Sequence, residues 1–371
     1  MAELPLVLLS GSPFDRGRLH GAALADRVAA NVALYSGRLR DDAGLTDSEV
    51  AERVDFYREV FTRLDGDYVE TMAGIAEGSG RSMSEIVMLN ARFELLYSAW
   101  SHAGTLADAD DCTGFGIPRD RSADGRLWIG QNWDWFPDVQ GGLLAWRDGD
   151  LVTLAYTEAG IAGCKIGLNS AGVGLCVNGL GCDADDWKRG GMPFHLRTSR
   201  ILGSRRLAEA LGHAAVDAPS CSANFLIGSR DQGIVDVESS PVGARRIPAV
   251  DDRVLVHANH FLDPDVLGVT ETWRSRPITT YHRHDRLDAL LNAEGPVDLA
   301  RVTTSLRDHE GGILGLCRHP DPERPAHLRT HTAFAAAIDL DSGAMHYTEG
   351  PPCESEFTTV TLAEVTARLD A

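Results

Sequence analysis

The sequence predicts an α+β fold in which two antiparallel sheets pack face to face with helices outside them. Three observations lead there. Helical periodicity runs through most of the first 111 residues. From Cys112 onward the texture changes to short alternating or apolar runs between glycine turns. The helices and strands also come in blocks: helices, many strands, a helical pair, then strands again. Alternating βαβ units would not give that order, and no repeat of fixed period is present.

Taken in order, Leu6 to Ser10 is a short opening strand, and Asp15 to Leu39 has apolar residues at helical spacing. Thr46-Asp47-Ser48-Glu49 is a capping box before the periodic run Val50 to Leu64. Gly78-Ser79-Gly80 breaks the next helix, and Ser82-Met83-Ser84-Glu85 opens another that runs to about Leu96. Ser101 to Asp111 is small, polar and acidic, the composition of an exposed loop. Asp111-Cys112-Thr113-Gly114-Phe115-Gly116 and Trp128 to Trp135 then form a hairpin around Asp124-Gly125. Its geometry returns the Asp134 carboxylate toward Cys112. Leu151 to Glu158, Cys164 to Asn169 and Gly174 to Asn178 are strands, and Phe194 to Ala215 is a helix. Asn224 to Gly228 and Ile234 to Glu238 pair around Asp231-Gln232-Gly233. Val254 to Phe261 is a strand with a polar end, followed by helices Thr279 to Leu291 and Leu299 to Asp308. Thr332 to Leu340 and Ala344 to Glu349 make the last hairpin.

Composition narrows the function. The chain has 371 residues, 43% hydrophobic and 24% charged, enough for a sizeable core. A net charge of -19 lacks the basic face that sequence-independent nucleic-acid binding requires. No apolar run approaches the ~18 residues of a membrane span. The start, Met1 to Pro5, has neither a basic region nor a long apolar one, so a cytoplasmic location is expected. Seven cysteines without a C-x-x-C pair suit neither a disulfide framework nor a zinc ribbon.

Few polar residues form a recognisable catalytic pattern. A phosphate loop, a G-x-S-x-G elbow and a dinucleotide fingerprint are all missing. His257 and His260 point to opposite faces of a strand, and His282 and His284 to different faces of a helix, so neither pair reads as a metal site. Cys112 is different: a thiol between an acidic loop and a new strand. Cut before Cys112, the chain would present a thiol and an α-amine on one residue. Their ordinary pKa values are about 8.5 and 7.7–8.0, so the amine can take the thiol proton without a histidine. Read alone, Cys112 fits a buried structural cysteine somewhat better than a nucleophile.

Asp111-Cys112-Thr113, Asp124-Gly125 and Gly130-Gln131-Asn132-Trp133-Asp134-Trp135 together resemble the isopenicillin N acyltransferase (acyl-coenzyme A:6-aminopenicillanic acid acyltransferase) family. That family is a branch of the N-terminal nucleophile hydrolases. The resemblance extends over most of the chain. It includes Gly11 to Gly17, His20-Gly21, Asn169 to Val173, His257 to Phe261, Leu306 to His309, Cys317 to Pro320 and Gly350 to Cys353.

The resemblance implies a four-layer αββα sandwich, a precursor that cuts itself, and amide-bond chemistry. Cys112 would be the nucleophile, first on the Asp111–Cys112 peptide and then on substrate. Residues 1–111 would become a small subunit and 112–371 a large one, both in one folded unit. Asp134 would orient the new α-amine, Asn259 would donate to the oxyanion, and Arg318 would balance charge, with Arg276 its rival. Trp133 and Trp135 alternate on their strand, so at least one is expected in the core. Members often carry glycine before the nucleophile where this chain has Asp111. The expected partners are a small-molecule amide or acyl donor, an acceptor, and the chain's own fragments. The proposed base is an amine and the oxyanion is hydrogen-bonded, so no cofactor and no metal is expected. An acyl-coenzyme A-dependent N-acyltransferase and a catalytically silent binding relative are the alternatives.

Overall fold

Fourteen strands among the described residues form two sheets. The computed structural model describes residues 4–103, 112–250, 252–272, 279–326 and 329–371. Asp111, most of the acidic loop and Arg276 lie outside them.

In chain order the strands begin with β1 (Leu6–Leu9), β2 (Thr113–Ile117), β3 (Trp128–Trp135), β4 (Gly141–Asp148) and β5 (Leu151–Glu158). They continue with β6 (Ile166–Asn169), β7 (Val173–Gly179), β8 (Ala223–Ser229), β9 (Gly233–Ser240) and β10 (Gly243–Pro248). The last four are β11 (Leu255–His257), β12 (His331–Asp339), β13 (Ala344–Glu349) and β14 (Thr358–Thr361). The first sheet has the order β1-β4-β5-β6-β7-β8-β9-β10 and the second β11-β2-β3-β12-β13-β14. The expected antiparallel pairing holds with one correction: β1 runs parallel to β4, Leu6 opposite Leu143. A parallel neighbour needs a long crossover, and here the crossover carries five helices and the β2–β3 hairpin.

Those helices are α1 (Pro13–Ala23), α2 (Ala25–Asp41), α3 (Asp47–Leu64), α4 (Gly66–Ser79) and α5 (Met83–Ala103). Later come α6 (Phe194–Leu202), α7 (Leu207–Ala214), α8 (Pro264–Leu267), α9 (Thr279–Leu291), α10 (Leu299–Leu306) and α11 (Leu362–Leu369). Helices α6 and α7 lie on the first sheet, with α5 stacked on α6. Helices α9 and α10 cover the second sheet, where Leu287, Leu291, Val302 and Leu306 meet Phe115, Ile117 and Trp128. Between the sheets, Ile129 and Leu340 close on Gly174 and Gly228, where added side chains would collide with them. The layering is therefore αββα. No helix among the described residues is long and apolar enough to cross a membrane.

Both expected capping boxes are present, Thr46 with Glu49 and Ser82 with Glu85. Several boundaries differ for local reasons. The run Asp15 to Leu39 is two helices, parted at Leu24 (φ -117°, ψ 24°), where no glycine or proline marks the break. The run Phe194 to Ala215 also divides, because the Asn169 side-chain amide takes the carbonyls of Leu202 and Ser204, 2.8 Å from each. Helix α5 continues past Leu96 to Ala103, since Tyr97 and Trp100 pack into the core toward Trp135. The strand expected over Val254 to Phe261 pairs only through His257. Beyond it, side chains capture the backbone donors: Thr280 that of Asn259, Glu271 that of Phe261 and Glu238 that of Leu262.

Candidate active site

Strand β3 organises the site. It lies between β2 and β12, and all eight of its residues are buried. Its alternation explains the Gln-Asn-Trp-Asp cluster. Gln131 faces the other sheet and exchanges two hydrogen bonds with the Val177 backbone, at 3.1 and 2.7 Å. Asn132 faces the helices and donates to the carbonyls of Leu306 and Leu316. Trp133 and Trp135 both stay in the core. Thr113 pairs with Asn132, so Cys112 falls opposite Trp133 at the mouth of the hairpin.

The Cys112 side chain is buried, and its thiol lies 3.9 Å from the Asp134 backbone carbonyl. The thiol lines a cavity of about 20 Å³ with Trp133, Lys165, Arg92 and Gly179. That is room for about one water. The Asp134 carboxylate accepts from Thr332 Oγ1 at 2.6 Å. Arg318 joins the site from behind this pair: its backbone N–H donates to Thr332 Oγ1 at 3.0 Å, while its guanidinium donates to the Ile313 carbonyl.

The guanidinium that reaches Cys112 belongs to Arg283, which the sequence reading passed over. Fully buried, it donates to the Cys112 carbonyl at 2.5 Å, to Thr113 Oγ1 at 2.6 Å and to Asn259 Oδ1 at 3.1 Å. Asn259 is thereby oriented, and its Nδ2 donates to Gly179, whose residue lines the Cys112 cavity. A signal for Arg283 existed. It occupies the apolar stripe of α9 with Leu287 and Leu291, four and eight residues on.

A second buried cluster borders the thiol. Arg92, Lys165 and the Tyr35 hydroxyl all donate to Glu158, and Trp135 donates to Tyr35 at 2.7 Å. Burial pushes the Glu158 carboxyl up, but Arg92 and Lys165 outweigh it and hold the pKa at about 2. Burial lowers the Lys165 ammonium to about 8 against the pull of Glu158. Two cations share one carboxylate here, and Arg92 and Lys165 line the same small cavity as Cys112.

The histidines weighed in the sequence do not converge. The rings of His257 and His260 are 6.4 Å apart. Burial lowers His257, but Asp236 and Glu238 raise it further, to about 9. His260 pairs with Thr280, and burial drives it to about 2. His282 meets the Glu310 carbonyl and His284 meets Asp285. Among the described residues, donors that do converge are those of His309, Cys317, His319 and Cys353.

A family model described as acyl-coenzyme A:6-aminopenicillanic acid acyl-transferase matches residues 121–352. The acyl-coenzyme A:6-aminopenicillanic-acid-acyltransferase 40 kDa form of Emericella nidulans is 29% identical over 316 residues, 84% of this chain and 84% of that relative. Among solved structures, a variant of conjugated bile acid hydrolase from Clostridium perfringens is similar with a TM-score of 0.47 and 12% identity, covering 68% of this chain and 93% of that one. Penicillin V acylase from Agrobacterium tumefaciens gives 0.44 and 14%, covering 68% and 87%.

Proposed function

The chain belongs to the acyl-coenzyme A:6-aminopenicillanic acid acyl-transferase family, and from that premise we propose that it is a self-processing cysteine amidohydrolase or acyltransferase with Cys112 as nucleophile. One observation carries the proposal. Arg283 holds both the Cys112 carbonyl and the Asn259 side chain, which joins the expected nucleophile to the expected oxyanion donor.

In the first step the Cys112 thiolate attacks the carbonyl carbon of Asp111. The peptide nitrogen leaves as the α-amine of Cys112 and takes a proton. Water then cleaves the resulting thioester, giving a carboxylate on Asp111 and a free thiol on Cys112. The cavity beside the thiol admits about one water and no substrate, so processing precedes turnover. In turnover the α-amine takes the thiol proton, and the thiolate attacks the substrate acyl carbon. The Asn259 amide stabilises the oxyanion, and the substrate amine departs with that proton. Water or an acceptor amine then opens the thioester. Asp134, fixed by Thr332, orients the α-amine. Arg318 supports that pair through its backbone.

Intact mass tests the processing. Wild type is expected to give fragments 1–111 and 112–371, while Cys112→Ala stays one chain. A wild-type chain that remains whole after long incubation and is nonetheless active would overturn the self-cleavage mechanism. The name of the Emericella relative favours an acyl-coenzyme A donor as the second reading. Thioester donors offered with and without acceptor amines separate the two. A transferase forms new amide only when the amine is present, whereas a hydrolase releases acid in either case.

A further inference from the structure

We propose that His309, Cys317, His319 and Cys353 form a structural zinc site. Their four donor atoms all lie within 4.8 Å of one another. The Nε2 atoms of His309 and His319 are 3.1 Å apart, and His319 Nε2 is 3.8 Å from Cys317 Sγ and 3.2 Å from Cys353 Sγ. A zinc tetrahedron with legs of about 2.0–2.3 Å has edges of roughly 3.3–3.8 Å. The three separations from His319 Nε2 fall within a few tenths of an ångström of those edges.

Hydrogen bonding does not account for this convergence. His319 Nε2 has either one proton or one lone pair, yet three donor atoms face it. A cation at the centre satisfies all four lone pairs together. The other ring nitrogen supplies a second, independent observation. His319 Nδ1 lies 3.3 Å from Glu354 Oε1, the carboxylate partner that fixes a ligating histidine as its Nδ1–H tautomer. That leaves Nε2 free to bind the metal.

The donors come from three separate segments: the loop after α10, the irregular stretch before β12, and the loop after β13. Cys317 is buried while His309, His319 and Cys353 are exposed, so an ion can enter from solvent. Four protein donors leave no open coordination position, which makes the site structural and not a Lewis acid. The ligands Cys317 and His319 flank Arg318, whose N–H sets Thr332 against Asp134. Zinc therefore fastens the segment behind the candidate active site. A Cys317–Cys353 disulfide would use only two of the four donors and leave both imidazoles without a purpose.

The test uses the full-length chain purified without a histidine tag, in reducing buffer. Elemental analysis should find one zinc per chain. Cobalt replacement should give the visible bands of tetrahedral cobalt and a near-ultraviolet sulfur-to-cobalt band. Cys353→Ser, at an exposed position, should lose the sulfur band and most of the bound metal. Glu354→Gln, which keeps all four ligands, should bind zinc about 10–100-fold more weakly. Chelation should lower the Tm of wild type and leave that of Cys353→Ser unchanged. Wild type that takes up neither zinc nor cobalt would overturn the proposal, as would a Cys317–Cys353 disulfide that persists in the reducing buffer.

Discussion

Arg283 gives one guanidinium to the Cys112 carbonyl, the Thr113 hydroxyl and the Asn259 side chain. A lysine has a compact ammonium and cannot span three acceptors in one plane. Arg283→Lys should therefore disturb Cys112 and Asn259 together. Asn259→Ala removes a single oxyanion donor and should lower kcat by about 10²–10³-fold with little change in KM. Steady-state kinetics on processed enzyme checks both. If Asn259→Ala raises KM and leaves kcat intact, Asn259 binds substrate and does not serve the oxyanion. At this scale the sequence was legible where a residue carries its own local context. Cys112 follows an acidic run, and Asp134 ends an alternating strand. Arg92, Glu158 and Lys165 have no such context, and Arg283 is marked only by its place on the buried stripe of α9 with Leu287 and Leu291. Their meeting depends on pairing between distant elements, and only the three-dimensional structure brings Glu158 to Arg92, 66 residues away.

Among the elements, α1 and α4 approach unusually closely, and glycines permit it. A Cβ on Gly74 would lie 2.1 Å from the Phe14 carbonyl, and one on Gly17 would lie 2.1 Å from the Thr71 carbonyl. Backbone cannot yield as a flexible side chain does, so Gly74→Ala must separate the helices. Overpacking of this kind costs about 1–3 kcal/mol or more. Gly66, at the start of α4, has nothing within 4 Å of its Cβ position. There an alanine should stabilise by up to about 1 kcal/mol through helix propensity alone. Urea midpoints of the two variants should move in opposite directions; a neutral Gly74→Ala would mean that the helices are not held at this distance. The strength of periodic patterning explains which elements could be read. Strand β5 was found to the residue, because it is a clean run between Gly149 and Gly160, and the end of helix α9 was found at Leu291. Strand β4 escaped notice: it opens on Gly141-Gly142 and is stabilised by β1 and β5 on its two sides. The break at Leu24 has no glycine or proline to mark it, and at Gly203 the glycine alone did not reveal the break that the distant Asn169 side chain fixes.

Across the whole molecule, a cut before Cys112 would leave two pieces that share one core. Val28, Tyr35, Ile75 and Leu89 from the first pack with Leu144, Leu154 and Trp135 from the second. Strand β1 remains paired with β4, and Asn31 donates to the carbonyls of Gln140 and Ala159. The processed fragments should therefore elute together in size exclusion. Several ionisable contacts cross the cut, and for two of them, at His20 and Glu158, the sign of the pH dependence can be worked out. Gly160 N–H donates to His20 Nε2 at 3.1 Å, so the ring must be neutral there, and burial pushes its pKa down to about 4. Its contribution is present above the free value of about 6.5 and is lost as pH falls to about 4, an amount of up to about 3 kcal/mol. The Glu158 carboxyl, held at about 2, keeps its contribution above about 4.5 and loses it as pH falls through about 2. Between pH 7 and 4.5 Glu158 is thus constant while His20 weakens. His195, which burial lowers to about 3 even with its Nδ1 bonded to the Asn90 carbonyl, also titrates against folding in this range, and its contribution is the same in wild type and in a His20 variant. His20→Gln keeps an acceptor for Gly160 and removes the proton. Fragment dissociation, followed by sedimentation from pH 7 to pH 4.5, should depend less steeply on pH in His20→Gln than in wild type. Equal slopes would show that His20 is not the group through which acid loosens the two pieces.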